Sequence, residues 1–390
     1  MNALVFGAGN IGRGFLGALL AQSGFSIAFV DVDEAKTALL TQLGEYPITT
    51  VSARGTETSM VHDVRGIAFA DQELIARAVV EADIILTAVG KEALPLVAPI
   101  LSRGLLQRIK ERPREETHVV VIACENVNEN TSYLRRLVES DLDPQDRWRL
   151  NRAISFPNCV VDRIVPNISD PRATPHPLAV TVEEYFQFVI DRTVLHAPFP
   201  AIAGIELSDD LGSILEQKLF TLNMAHAIAG YYGYLKGCQF IHEAVADPEI
   251  ALLLNGALDE VGATITERHP TIPVHAQRAY AEKVVHRFQN AHLRDAIVRV
   301  ARQPKRKLGA EDRLVKPALL TRNQGRIPAY LATGIAAALH YDHADDVQAQ
   351  ELVSEIRHKG LARVLHEVSG LAPHDELTRL VQSDFLLRAL

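Results

Sequence analysis

Three cysteines in 390 residues, Cys124, Cys159 and Cys238, include no CxxC pair and are odd in number. That count argues against a disulfide framework and for reduced, buried thiols. It also removes the ligand spacing of a zinc set, and with it a zinc-dependent dehydrogenase. His242-Glu243 and His366-Glu367 each lack the second histidine of HExxH, so no metal is expected. No run approaches the ~18 apolar residues of a membrane span. No basic stretch precedes the first apolar run, and glycines break that run at once, which argues against a signal peptide and sets a cytoplasmic expectation. An excess of positive charge is missing too: the net charge is −8, unlike that of a general nucleic-acid binder. Repeats and low-complexity segments are also absent.

What is present has the composition of an ordinary globular protein, with 47% hydrophobic and 23% charged residues. The length suits about two domains at a rough ~150 residues each. Short β-rich runs alternate with helical stretches up to about residue 150. Strands are expected at Asn2–Phe6, Ser26–Val32, "ADIILTAVG" and "HVVVIACEN". Helices are expected at Ile11–Ser23, Glu34–Leu43, Asp71–Val80 and Leu94–Lys110. Continuous apolar runs such as ILTAV and VVVIA suit strands covered on both faces, and the alternation is that of a doubly wound α/β domain. "YPITTVS" and "TSMVHDV", around Arg54-Gly55, read as a hairpin insertion. A Pro- and Asn-rich connector (155–177) and one strand in "LAVTVEEYFQFVID" follow. Beyond about residue 200 the pattern is almost entirely helical. The fold class expected is therefore α/β, a Rossmann-like domain over residues 1–195 with its connector and a mostly α-helical domain over 196–390. The active site is expected in the cleft between them.

The first strand, Ala3, Leu4, Val5 and Phe6, runs straight into Gly7, Ala8, Gly9, Asn10, Ile11, Gly12, Arg13 and Gly14. Gly7, Gly9 and Gly12 match G-x-G-x-x-G between a strand and a helix. Asp31 stands at the end of the next strand, where it can accept hydrogen bonds from an adenosine ribose. A carboxylate there repels a 2′-phosphate, which favours NAD over NADP. The alternatives are a ligand-free glycine turn, and for Asp31 a solvated strand end or helix cap. Arg13 fits a phosphate contact or a surface cation equally well. Two more strand ends, Ala88-Val89-Gly90 and Glu125-Asn126, should face the same crevice, with Asn126 as a cofactor contact or otherwise a turn residue capping the next helix.

Chemistry is expected from "KLFTLNMAH", where Lys218, Asn223 and His226 fall near 0°, 140° and 80° of a helix turning about 100° per residue. Oxidising an alcohol requires a base for the hydroxyl proton and donors for the developing alkoxide. A desolvated lysine supplies the first, and Asn223 and His226 the second. The plainer alternative is an exposed lysine, a satisfied asparagine and a core histidine.

The K-x-x-x-x-N-x-x-H arrangement, with "FPNCVVDRI" (156–164) and "VTVEEYFQFVID" (180–191), resembles the polyol-specific long-chain dehydrogenases of the mannitol dehydrogenase family. The resemblance spans nearly the whole chain. It implies metal-independent, NAD-dependent hydride transfer, with Lys218 as general base and Asn223 and His226 polarising the reacting oxygen. Asn158 of the FPN motif is implied to help hold that oxygen. Glu184 is implied to contact substrate hydroxyls, with Glu183 beside it able to serve instead. "GAGNIGRGF" so close to residue 1 is similar to the members that act on phosphorylated hexitols, whose oxidation at C5 yields a ketose phosphate.

Residues 294–316 carry eight Lys/Arg against three acids, +5 within an acidic chain. This is a solvated basic loop or the capture site of a phosphomonoester dianion. The "RKL…DRL..P" pattern resembles the phosphate-substrate members, and Arg306, Lys307 and Arg313 are the favoured ligands. No aromatics interleave with these cations, which argues against nucleic acid. A phosphorylated hexitol or ketose is thus the expected small-molecule partner, with a monomer or small homo-oligomer and no membrane. The rival readings are a dehydrogenase of unphosphorylated polyols or hexuronates, and an NAD-binding regulator without turnover.

Overall fold

The computed structural model describes residues 1–52, 54–112, 116–166 and 176–388. It divides into two compact units, Met1–Leu211 and Gly212–Leu390.

Six strands form one all-parallel sheet: β1 (Asn2–Phe6), β2 (Ser26–Asp31), β5 (Val64–Ala68), β6 (Ile84–Thr87), β7 (Val119–Ala123) and β8 (Ile154–Ser155). Their spatial order is β5-β2-β1-β6-β7-β8. Counted along the chain this is 3-2-1-4-5-6, the doubly wound order that binds dinucleotides where it reverses, between β1 and β6. The apolar runs are continuous because alternate residues feed two cores. Val5, Ile84, Leu86, Val120 and Ile122 pack on one face, and Leu4, Phe6, Ile85, Val119 and Val121 on the other.

The expected hairpin is β3 (Glu45–Ser52) against β4 (Gly55–His62), closing at Ser52 and Gly55. Strand β5 has no counterpart in the sequence reading. It is a five-residue edge strand interrupted by Arg65 and Gly66, too short for a periodic signal. The single strand expected in "LAVTVEEYFQFVID" is two, β10 (Val180–Glu183) and β11 (Gln187–Asp191). They separate because β10 joins the hairpin sheet beside β3, whereas β11 pairs with β9 (Cys159–Asp162) and β12 (Ile205–Ser208). The β11–β12 pairing carries the first unit past residue 195. Residues 167–175 of the expected connector lie outside the described residues.

In the second unit the helix Met224–Leu235 buries nearly its whole circumference, from Met224 through Gly233. A helix apolar all round belongs in a core. Ala329–Leu339 lies against it so closely that a Cβ on Gly334 would stand 2.7 Å from the Ile228 side chain.

Candidate active site

The cofactor cradle grows from β1. Ala3, Leu4, Val5 and Phe6 are themselves the strand, with side chains no more than 2% exposed in the two cores. Expected among the cofactor contacts, they turn their side chains into the cores and hold the loop in position. Gly7 follows with φ +100°, a region nearly closed to L side chains. A Cβ there would stand 2.5 Å from the Ala88 carbonyl oxygen, and one on Gly12 would stand 1.9 Å from that of Gly7. A Cβ on Gly9 would meet nothing within 4 Å. Gly7 and Gly12 are therefore needed to close the turn, while Gly9 keeps the outer side of the loop open to a close approach by a phosphate. Asn10 and Ile11, half-buried, lead into the helix, and Gly14 packs against Val180 and Val182.

Arg13 is the clearest correction in this stretch. Its guanidinium is buried, donating from Nε to Ala8 O at 2.8 Å and from Nη1 to Leu178 O. Burial lowers its pKa below the usual value. It braces the loop from behind, its guanidinium turned onto backbone carbonyls and away from the surface. Asp31 spans the crevice side, with Oδ2 accepting from Ala8 N at 2.7 Å and Oδ1 from Asp33 N at 3.0 Å. The cap of helix Glu34–Leu43 is Asp33, so the capping alternative for Asp31 lapses.

Across the switch point, Val89 and Gly90 (φ +88°) follow β6, held by Glu125, which the sequence places at the neighbouring strand end without a role. The buried Glu125 carboxylate accepts from Thr87 Oγ1 at 2.8 Å and from Val89 N at 3.0 Å. Burial raises its pKa despite these bonds. Asn126 is exposed at the end of β7, and helix Asn130–Glu139 starts beyond its capping reach with Glu129 as N-cap.

Asn158 faces the start of that helix. Its Oδ1 accepts from Ser132 N and its Nδ2 donates to Ser132 Oγ, both at 2.9 Å. A backbone N–H only donates, so the amide orientation is fixed and one N–H of Nδ2 remains. The two neighbouring glutamates part at the end of β10: Glu183, buried directly after Val182, accepts from Ile164 N, while Glu184, just past the strand, is exposed and pairs with Arg54 at 2.7 Å.

In the second unit the helix carrying Lys218, Asn223 and His226 is not regular. Lys218–Asn223 is a π-helical turn, followed by the α-helix Met224–Leu235. Hydrogen bonds from i to i+5 bring Asn223 one turn beyond Lys218, not the ~140° round the cylinder that α geometry gives. His226, three residues further on, continues the row. Lys218 and Asn223 are each 6% exposed. His226 stacks on Phe288, with ring centroids 4.7 Å apart, and its Nε2 lies 2.9 Å from Asp295 Oδ2. Burial lowers the imidazole pKa against the opposing pull of Asp295. Burial likewise pushes the Asp295 carboxyl up, but His226 and Arg299 outweigh it and hold it below the usual range. The pair is therefore an ionised Asp295 accepting from a neutral His226. Sequence reading counted Asp295 only as an acid among bases.

The basic segment is not a loop; it contains the helices Ile297–Ala301 and Pro304–Lys307. Several of its cations are engaged elsewhere: Arg299 with Asp295, Lys305 with Glu351 and Glu355, and Lys316 with Glu311. Arg306, Lys307 and Arg313 form one cluster. Arg313 Nε lies 2.7 Å from Asp312 Oδ1, and Arg306 Nη1 lies 3.6 Å from Asp312 Oδ2. Lys307 departs from expectation. Its ammonium is buried, donating to Val300 O at 2.7 Å and to Arg302 O, and burial followed by the charge of Arg313, Arg306 and Arg302 pulls its pKa well down. It supports the cluster from beneath. Among the described residues no group of His, Cys, Asp or Glu is arranged to hold a metal ion, and no helix is long and apolar enough to cross a membrane.

Residues 1–204 match the mannitol dehydrogenase Rossmann domain and residues 210–384 the mannitol dehydrogenase C-terminal domain. Similar curated proteins include the mannitol-1-phosphate 5-dehydrogenase of Bacillus velezensis, 41% identical over 382 residues and 98% of each chain. Its Bacillus pumilus namesake is also 41% identical, over 383 residues and 98% of each chain. Among solved structures, the mannitol 2-dehydrogenase of Pseudomonas fluorescens, in ternary complex with NAD and D-mannitol, aligns with TM-score 0.77 at 19% identity, over 99% of this chain and 91% of that one. A substrate-free D-sorbitol dehydrogenase gives 0.80 at 18%, over 99% and 92%. The two solved structures share its fold. Matched in both of its parts and along nearly its full length, the chain belongs to the mannitol dehydrogenase family.

Proposed function

We propose that the protein catalyses the NAD-dependent interconversion of mannitol 1-phosphate and fructose 6-phosphate, reacting at the hexitol C5. The observation that carries this reading is the presence, within the second unit, of a row made by the buried Lys218 and Asn223 and the half-buried His226, together with a cation cluster in which Arg306 and Arg313 share Asp312. The two relatives at 41% identity bear the same activity in their names.

The cradle fits NAD: Gly9 is open to a pyrophosphate, and Asp31 at the end of β2 is an acceptor for ribose hydroxyls and a repellent of a 2′-phosphate. Bound NAD supplies the hydride acceptor. His226, its Nε2–H given to Asp295, takes a substrate hydroxyl on Nδ1, while Lys218 takes the proton of the C5 hydroxyl and Asn223 donates to the oxygen as charge develops on it. The remaining Nδ2–H of Asn158 is a further donor to that oxygen. Asp295 accepts from His226 Nε2 and so fixes the tautomer and the orientation of the ring. Arg306 and Arg313 take the phosphate, for which guanidinium offers paired donors, and Glu184 takes substrate hydroxyls.

The test is oxidation of NADH in the presence of fructose 6-phosphate, followed by absorbance. Turnover with fructose 6-phosphate far above that with fructose is expected. Equal kcat/KM for the two ketoses would remove the phosphate from the reading.

A further inference from the structure

Tyr231 lies in the middle of the buried helix Met224–Leu235, is fully buried, and its hydroxyl has no hydrogen-bond partner among the described residues. A buried hydroxyl left unmatched is costly, and most such groups in folded proteins are paired. Its surroundings are the cation cluster. The Lys307 ammonium stands 5.8 Å above the ring centroid. The positive charges acting on the phenol are those of Arg313 and Arg306, and Tyr231 acts in turn on Arg306. Tyr341 packs on it edge-on at 5.6 Å, and Asp346, the acid that also bears on it, is engaged in capping the helix Val347–Lys359. Burial keeps the phenol protonated far above its ordinary range. It is therefore a permanent neutral donor placed among cations, and what such a group lacks is an anion's oxygen.

We infer that Tyr231 is a specificity-determining residue: its hydroxyl donates to the phosphate of the substrate alongside Arg313 and Arg306. The inference rests on the phosphorylated-substrate reading above. It adds a distinct physical signature. A side chain whose hydroxyl is unmatched until ligand arrives lowers the stability of the free protein while raising affinity for the ligand. Removing the oxygen alone then has opposite effects on the two.

Tyr231→Phe separates them with a minimal change. The ratio of kcat/KM for fructose 6-phosphate to that for fructose is expected to fall about 10- to 100-fold, the range of a hydrogen bond to a charged group. The thermal midpoint without ligand is expected to match or exceed that of the wild type, and its rise on adding inorganic phosphate is expected to shrink. Arg313→Ala runs in parallel. If Arg313→Ala collapses the ratio and Tyr231→Phe leaves it intact, Tyr231 is no phosphate ligand and this inference alone falls. If Tyr231→Phe loses activity equally on both ketoses, or melts lower, its role is structural and the inference is overturned. If the wild type itself does not discriminate between the ketoses, the underlying phosphate reading fails and takes the inference with it.

Discussion

Alanine placed at each glycine of the cradle in turn should divide folding from cofactor binding. At Gly7 the added Cβ meets the Ala88 carbonyl oxygen at 2.5 Å, and φ of +100° is strained for any L residue. The conformational penalty of about 1–2 kcal/mol adds to an overpacking cost of about 1–3 kcal/mol. At Gly12 the Cβ would sit 1.9 Å from the Gly7 carbonyl oxygen, which is backbone and cannot swing aside, so the turn itself must open. Gly7→Ala should therefore lose about 2–5 kcal/mol, lowering the midpoint by on the order of 4–20 °C at ~2–4 °C per kcal/mol, and Gly12→Ala at least the overpacking part of about 1–3 kcal/mol. At Gly9 the Cβ meets nothing within 4 Å, and stability should stay within about 0.5 kcal/mol. It would, however, stand where the pyrophosphate approaches. Loss of one charge-assisted backbone contact there raises Kd for NADH about 10- to 100-fold. Differential scanning fluorimetry gives the first quantity and NADH fluorescence titration the second. Wild-type NADH affinity in Gly9→Ala would refute the placement of the pyrophosphate. A stable Gly12→Ala would refute the account of the turn.

Lys218→Ala should reduce kcat by about 10²- to 10⁴-fold with fructose 6-phosphate, measured by NADH absorbance at saturating substrate; near-normal turnover would take the base role from it. Asp295→Asn removes the charge opposite His226 while keeping an acceptor, so kcat should fall about tenfold or more with NADH affinity retained, and Asp295→Glu should recover part of it. Stopped-flow single turnover distinguishes this from slower product release. Asp31→Ala should narrow the preference for NADH over NADPH, read as the ratio of their kcat/KM values, because the charge that repels a 2′-phosphate is gone. Tyr46→Phe removes the hydroxyl that donates to the Arg13 carbonyl at 2.8 Å in the core, and should cost about 1 kcal/mol in chemical denaturation.

The parts of this molecule legible in its sequence are those where chemistry forces residue type at fixed spacing. Gly7 and Gly12 are such positions, because two backbone carbonyls stand where a Cβ would be. The parallel sheet covered on both faces was legible from its continuous buried apolar runs, which carry no information on strand order. Strand β5 was silent because an edge strand holding Arg65 and Gly66 has neither run nor alternation. Charge was the least reliable guide. Arg13 and Lys307 read as cations available to a ligand, yet each is folded inward onto backbone carbonyls, and nothing local to either residue signals that. Asp295 was hidden by distance: it meets His226 across 69 positions, inside a segment whose sum of charges drew attention away from its single buried acid. The π-helical turn at Lys218–Asn223 aligns the two side chains more closely than α geometry allows, and residue spacing carries no sign of it. Glu183 and Glu184 were not separable by alternation, because Glu183 is buried directly after the buried Val182, against the period of the strand.

The most direct measurement is where a hydride goes. Fructose 6-phosphate reduced with NADH carrying deuterium at the transferable position, and analysed by mass and carbon-13 spectroscopy, should give mannitol 1-phosphate labelled at C5 alone. Label at another carbon, a sorbitol phosphate as the main product, or deuterium appearing as readily in mannitol from free fructose would contradict the account.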